Sequence, residues 1–461
     1  MIKYKLWKMN ETDMQKGVRM KIKVKEMCYE QVLELPTEKH IRPRRPSILF
    51  RTLLKLLALP ELWATGFTWE EEGMERLEKE QPCLILMNHS SFIDLKIAAS
   101  VLYPRPFNIV CTSDGFVGKD RLMRLLGCIP TKKFVTDLTL VKDMYYALKE
   151  LRSSVLLFPE ASYSFDGTAT PLPDSMGKCL KTLGVPVVMI RTRGAFARDP
   201  LYNNLQRRRV KVSAKMEYLL SPEEIALRTP EELSGLLAER FSFDNFLWQQ
   251  QNHVRIDEPF RADYLNRVLY KCPHCMAEGR MRGRGSRLVC ENCGVTYELT
   301  EYGYLRGVDI PAEKQRFDHV PDWFRWEREC VRRELQEGSY HLRVPVDICM
   351  LVDSKCIYKV GNGVLEHTVE GFHLTGCEGR LDYRQKPLAS YSLYADYYWY
   401  ELGDMICIGD QRVLYYCFPQ SGQDVAAKTR LAAEELYRMK KTMGRGSHAA
   451  GEKISADSKT L

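Results

Sequence analysis

Between residues 81 and 193, short apolar runs at 83–87, 107–111, 154–158 and 185–190 alternate with stretches of helical periodicity at 95–102, 119–126, 140–151 and 176–183. The runs read as buried strands and the periodic stretches as helices. Such alternation predicts an α/β class fold in which helices cover a sheet; it leaves strand order and direction open.

At 461 residues the chain exceeds one ordinary hydrophobic core, so two or three domains are expected. Residues 1–46 read as a basic, loosely held arm, because Pro43 and Pro46 among Arg42, Arg44 and Arg45 prevent a continuous helix. Residues 47–265 form the α/β domain, 266–305 a small cysteine-bearing unit, 340–442 a β-rich domain ending in a helix over 424–441, and 443–461 a polar, disordered tail. The α/β domain opens on an apolar helical face of Ile48, Leu49, Leu53, Leu54, Leu57, Leu62, Trp63 and Phe67, interrupted by Pro60, with Arg51 and Lys55 among them. Two readings stand for this segment: a helix lying in a lipid interface, or an ordinary helix packed on the next domain. Ser221-Pro222-Glu223-Glu224 predicts a capped helix start and Asn362-Gly363 a hairpin, while the tyrosine-rich run from 391 to 400 reads as strand packing.

Lys and Arg number 68 against 60 Asp and Glu, and the resulting charge of +8 suits phosphate groups on lipid, nucleotide or nucleic acid. With 45% hydrophobic and 28% charged residues, an intrinsically disordered chain is excluded. Fifteen cysteines, an odd number scattered mostly singly, fit a reducing compartment better than a disulfide framework. Lys3, Lys5 and Lys8 precede no apolar core with a cleavage site, and no run of about 18 uncharged apolar residues occurs, so neither a signal peptide nor a spanning helix is expected.

Cys272-Pro273-His274-Cys275 and Cys290-Glu291-Asn292-Cys293 are two Cys-x-x-Cys knuckles, each able to place two thiolates on one ion. Cys272, Cys275, Cys290 and Cys293 together complete a closed tetrahedral site, which predicts a structural zinc with no catalytic role. His274 is expected to point away from it. Arg280, Arg282, Arg284 and Arg287 lie between the knuckles, and a zinc-ribbon nucleic-acid-binding protein is the alternative that they raise, although nucleic acid is not the expected partner.

The strongest chemical signal is Asn88-His89-Ser90-Ser91-Phe92-Ile93-Asp94, placed after a strand and before a helix. That spacing allows the Asp94 carboxylate to hold one nitrogen of the His89 ring, leaving the other to accept a proton from an alcohol. A second carboxylate, Glu160, stands at another strand end in Phe158-Pro159-Glu160-Ala161-Ser162-Tyr163, where it suits an acceptor hydroxyl or a cation, with nearby serines as phosphate donors.

With these blocks the chain resembles the glycerolipid acyltransferase family that includes the 1-acylglycerol-3-phosphate acyltransferases. Four blocks occur in the family's order: 88–94, Gly127-Cys128-Ile129-Pro130-Thr131-Lys132-Lys133, Phe158-Pro159-Glu160 and Val185-Pro186-Val187-Val188. The resemblance spans roughly residues 80–215. It implies His89 as general base and Asp94 as its orienter, with Asn88, Lys132, Lys133, Glu160 and Ser162 on the substrate side. It implies an acyl thioester donor, acyl-CoA or acyl carrier protein, and a lysophospholipid acceptor giving phosphatidic acid. The cysteine usage, with no signal peptide expected, adds the expectation of a cytoplasmic protein, peripheral on the inner face of the cell membrane. Lys133 falls where the family has an arginine and keeps the charge without the bidentate fork. Ala161-Ser162-Tyr163 replaces the family's Gly-Thr-Arg, and Met189 replaces a proline. These departures raise a further alternative, a degenerate domain that binds lipid without turnover. By architecture alone, the β-rich segment is similar to a pleckstrin-homology module.

Overall fold

Leu84–Met87 alternates sides as a pleated strand must, and both sides are buried. Leu84 and Leu86 join Met144, Leu148, Val155 and Leu180 on one face, whereas Ile85 and Met87 join Ile97, Ile109, Leu156 and Ile190 on the other. A strand apolar on both faces can only sit inside a sheet covered twice. In the computed structural model, which describes residues 21–134, 137–160, 162–420 and 424–457 with the side chains of Ala312 and 444–457 excepted, it occupies that place.

After β1 (Val24–Glu26), the helix α1 (Ile48–Ala64) leads into β2 (Thr68–Glu72), β3 (Leu84–Met87), β4 (Phe107–Thr112), β5 (Cys128–Thr131), β6 (Ser154–Leu157), β7 (Val187–Arg193) and β8 (Ser213–Leu220). These seven form one sheet in the order β2-β8-β7-β3-β6-β4-β5, parallel except between β7 and β8. The helices α2 (Asp94–Val101), α3 (Leu138–Lys149) and α4 (Met176–Leu183) cover it as the periodicity predicts. α5 (Pro222–Leu227) starts with the expected cap: Ser221 Oγ accepts from Glu224 N at 3.2 Å, and Ser221 N donates to Glu224 Oε2 at 2.6 Å.

Next come β9 (Met281–Arg284), β10 (Arg287–Cys290), β11 (Thr296–Leu299) and β12 (Leu305–Val308), a small antiparallel sheet carrying the paired cysteines, and then α6 (Val320–Gln336). The β-rich region consists of β13 (Leu342–Leu351), β14 (Ile357–Thr368), β15 (Gly371–Gly376), β16 (Leu381–Gln385), β17 (Tyr394–Trp399), β18 (Gly403–Gly409) and β19 (Leu414–Pro419), closed by α7 (Val425–Asp457). Its sheet runs β16-β15-β14-β13-β19-β18-β17, with β1 added in parallel on β14.

Three expectations are corrected. The arm is held from β1 onward: His40 Nε2 lies 2.9 Å from Asp143 Oδ2, and the Arg44 carbonyl accepts from Asn108 Nδ2 at 2.8 Å. Lys3, Lys5 and Lys8 fall outside the described residues. Asn362-Gly363 is no hairpin but lies inside β14, because both of its sides find ladder partners, β13 and β15. Glycine is required at 363 since a Cβ there would sit 2.1 Å from the Thr375 carbonyl oxygen. Finally, α7 continues beyond 443 to Asp457, through the segment expected to be disordered; residues 458–461 lie outside the described ones.

α1 buries only Ala58 and Leu62, while Leu49 (71%), Leu57 (65%) and Trp63 (74%) stay exposed together with Ile48, Leu53 and Leu56. Its main apolar face is therefore not spent on packing. Among the described residues no helix is long and apolar enough to cross a membrane. Because Leu86 is fully buried at the centre of the sheet, Leu86→Ala is expected to cost about 2–5 kcal/mol, read as a lowered urea midpoint with an unchanged slope.

Candidate active site

β3 lies between β7 and β6, and the loops leaving the carboxyl ends of β3 and β6 bring His89 and Glu160 together. Crevices at such strand ends are where open α/β sheets place ligands. Asp94 begins α2 and turns its carboxylate back on the loop: Oδ2 accepts from Ser90 N at 2.7 Å and Ser91 N at 2.9 Å, and lies 3.4 Å from His89 Nδ1. Among the described residues His89 Nε2 has no hydrogen-bond partner, and the ring lines the cavity. The ring is clamped between Phe158 (centroids 4.3 Å apart) and Tyr163 (4.0 Å), both stacked on it.

Burial, reinforced by the Lys133 ammonium, holds the His89 imidazole well below the ordinary histidine range, so the ring is neutral at physiological pH. Burial also pushes the Asp94 carboxyl up to about 7 against the pull of its backbone donors, and Glu160 likewise up to about 7. A neutral imidazole backed by a carboxyl that titrates near neutrality is able to take a proton from a hydroxyl and to have the resulting cation stabilised.

The cavity in front of His89 measures about 900 Å³. Apolar side chains of the α/β domain, including Ile109, Met123, Val141, Met144 and Leu157, line one part of it, and the β-rich region lines the rest with Tyr391, Tyr394, Tyr397, Tyr398, Trp399 and Tyr400. The tyrosine-rich run is thus a wall of the site, which the strand-packing reading missed. Asp114 joins the two regions: its Oδ2 accepts from the Tyr394 hydroxyl at 3.0 Å and from Trp399 Nε1 at 3.2 Å. Asp396, pushed up to about 7 by burial, also lines the cavity. In the sequence, Asp114 and Asp396 stand in no recognisable motif, and only the chemistry of Tyr163, in place of an expected arginine, gave a signal.

Of the other predicted site residues, Lys132 and Lys133 line the cavity. Lys132 Nζ donates to the Gln411 carbonyl, and Lys133 Nζ lies 3.9 Å over the Tyr394 ring, its pKa lowered by burial while Asp396 and Asp114 oppose the shift. Asn88, Glu160 and Ser162 are placed elsewhere. Asn88 is buried and exchanges hydrogen bonds with Thr192, accepting from its N at 2.8 Å and donating to its Oγ1 at 3.2 Å, which ties β3 to β7. Glu160 spends both oxygens on backbone, Oε2 on His89 N at 2.8 Å and Oε1 on Thr170 N at 2.9 Å. Ser162 Oγ accepts from Arg430 Nη1 of α7 at 3.3 Å. These three position the site and do not reach its cavity.

In the small sheet, the ligand atoms of Cys272, Cys275, Cys290 and Cys293 all lie within 4.8 Å of one another. Cys272–Cys293 and Cys275–Cys290 are each 3.7 Å apart between sulfurs. Four thiolates about 2.3 Å from a central ion stand about 3.8 Å apart in a tetrahedron, so this group fits a metal ion and is far too open for disulfides. All fifteen cysteines are free. His274 turns to the Tyr297 hydroxyl, 2.9 Å away, and Arg282 pairs with Glu291 at 3.3 Å.

Residues 69–192 match the family model described as Acyltransferase. No curated protein matches the chain. A solved structure that it resembles is the crystal structure of the 1-acyl-sn-glycerophosphate (LPA) acyltransferase PlsC from Thermotoga maritima, with 16% sequence identity and a TM-score of 0.35 over 41% of this chain and 76% of that one.

Elemental analysis of the purified protein is expected to return one tightly held metal ion per chain. Cys290→Ser is expected to lose it and to lower the melting temperature, because an ion bound only by the assembled four-cysteine site would add its binding free energy to folding.

Proposed function

Taking residues 69–192 as an acyltransferase-family domain, we propose that the protein transfers a fatty acyl group from an acyl thioester, on coenzyme A or acyl carrier protein, to a lysophospholipid, most directly 1-acylglycerol-3-phosphate to give phosphatidic acid. The observation that carries this reading is the neutral His89 ring, clamped by two aromatic rings and facing a largely apolar cavity, with Asp94 behind it. The acceptor hydroxyl gives its proton to His89 Nε2 while its oxygen attacks the thioester carbonyl. The tetrahedral intermediate then expels the thiolate, breaking the C–S bond, and the imidazolium returns the proton to the departing sulfur. Asp94 stabilises the transient cation and fixes the ring through Nδ1. No protein nucleophile takes part.

Glu160 acts as a positioning residue by holding the His89 peptide. Lys132 and Lys133 supply ammonium groups to the acceptor phosphate. Zinc in the four-cysteine site has a structural role. The exposed apolar face of α1, flanked by Arg51 and Lys55, rests on the lipid surface, which delivers the lysolipid directly. Free thiols throughout the chain agree with the cytoplasmic side of the membrane.

The direct test supplies vesicles containing 1-acylglycerol-3-phosphate with acyl thioesters on both carriers and follows product by mass spectrometry. Formation of diacylglycerol phosphate supports the reading, and no product from any lysolipid sinks it in favour of a lipid-binding domain without turnover. His89→Ala is expected to lower turnover about 10²–10⁴-fold with fold and metal content intact. The rate should rise as pH passes through about 7, where Asp94 loses its proton and becomes able to stabilise the imidazolium; Asp94→Asn should abolish that limb as well as lower the rate. Leu49→Asp/Leu57→Asp is expected to reduce co-sedimentation with anionic vesicles at least tenfold, and unchanged sedimentation would remove α1 as the lipid contact.

A further inference from the structure

A second cavity of about 720 Å³ adjoins the first, with Lys133, Phe134 and Tyr394 lining both. It is built almost wholly from the β-rich region, outside the acyltransferase-family segment, at the ends of β16 and β18 and the turn into β19. Its charge differs from that of the catalytic cavity. There, four lysines face four aspartates, so the lining is balanced. Here Lys133, Arg384, Lys386 and Arg412 face one carboxylate, Asp410. That carboxylate is already committed: its Oδ1 accepts from the backbone N of Arg412 at 2.7 Å and of Val413 at 3.0 Å, closing the turn. Among the described residues Arg384 has only a loose ion pair with Asp382, at 3.8 Å, and its side chain is 70% exposed.

An excess of cations in a concave site raises the local concentration of anions and favours phosphate groups, which arginine takes as a fork. Tyr383 adds an aromatic ring to the same lining. The reaction as proposed needs two ligands to meet at His89, and one of them, the thioester donor, carries phosphate on an extended arm whichever carrier holds it.

We infer that this second cavity is the donor site, in which Arg384, Lys386 and Arg412 hold the phosphate-bearing handle of the acyl-thioester carrier while its arm passes Lys133 and Tyr394 to reach the catalytic cavity. The inference rests on the acyl-transfer reading, and it gives the β-rich region a substrate to bind in addition to a wall to form. The balanced, apolar and aromatic first cavity is left to the acyl chain and the acceptor.

The test uses the full-length protein and Arg384→Glu/Lys386→Glu, two exposed positions whose change leaves the core intact. Binding of free coenzyme A and of holo acyl carrier protein is measured by titration calorimetry, independently of turnover, and the donor and acceptor KM values are measured on vesicles. The expected result is a loss of at least tenfold in affinity for one carrier, with a matching rise in the KM of that carrier's thioester and no change in the acceptor KM. Loss confined to coenzyme A assigns the site to a nucleotide carrier, and loss confined to the carrier protein assigns it to the protein-borne arm. If both affinities and the donor KM match the native protein, or if the native protein binds neither carrier, the inference is overturned. If carrier binding depends on these residues but no acceptor is acylated, the donor site stands and the lysophospholipid reading falls.

Discussion

The Glu160 carboxylate is the joint on which the site depends. It is almost wholly buried, 1% exposed, and its two oxygens accept from the backbone of His89 and Thr170. Backbone donors at these loop positions belong to no strand ladder, and burying them unpaired would cost about 1–3 kcal/mol each. A single side chain therefore closes the end of β3 against the loop after β6, and by fixing the His89 peptide it fixes the point from which the imidazole projects. Tyr163, three residues further on, then lies against the ring, and Arg430 of α7 holds the Tyr163 carbonyl from behind at 3.3 Å. Geometry at the His89 ring is thus set from the last helix of the chain as well as from the sheet.

The β-rich region is consequently part of the candidate site. Asp114, in the loop after β4, takes hydrogen bonds from Tyr394 and Trp399, and Lys133 lies over the Tyr394 ring. A buried carboxyl is tolerable only where donors surround it, and here they come from a segment some 280 residues away along the chain. The result is a cavity whose aliphatic lining comes largely from one region and whose tyrosine-rich wall comes from another.

Much of the α/β layer was legible because its signals are local. Apolar runs at strand length, periodic helices and the Ser221 capping box each depend on neighbours a few residues away, and their observed bounds differ from the expected ones by no more than three residues. The paired cysteines were equally legible, since two knuckles with fixed spacing leave few alternatives. Asn362-Gly363 misled for the opposite reason: turn chemistry at that pair was overridden by partner strands on both sides, and Gly363 serves close approach to β15. Asn88, Glu160 and Ser162 were read as substrate contacts because a polar residue at a strand end looks the same whether it faces a ligand or a neighbouring backbone.

The sequence by itself determined the α/β class, the His89–Asp94 pair and the four-cysteine cluster, because each is encoded over a short stretch whose physics does not await the rest of the fold. Tertiary structure decided the environment of that pair: the depressed His89 pKa, the aromatic clamp, the composite wall of Tyr391 to Tyr400 and the basic second cavity. Desolvation and through-space charge depend on which distant surfaces meet, and no local pattern in a single chain records that meeting.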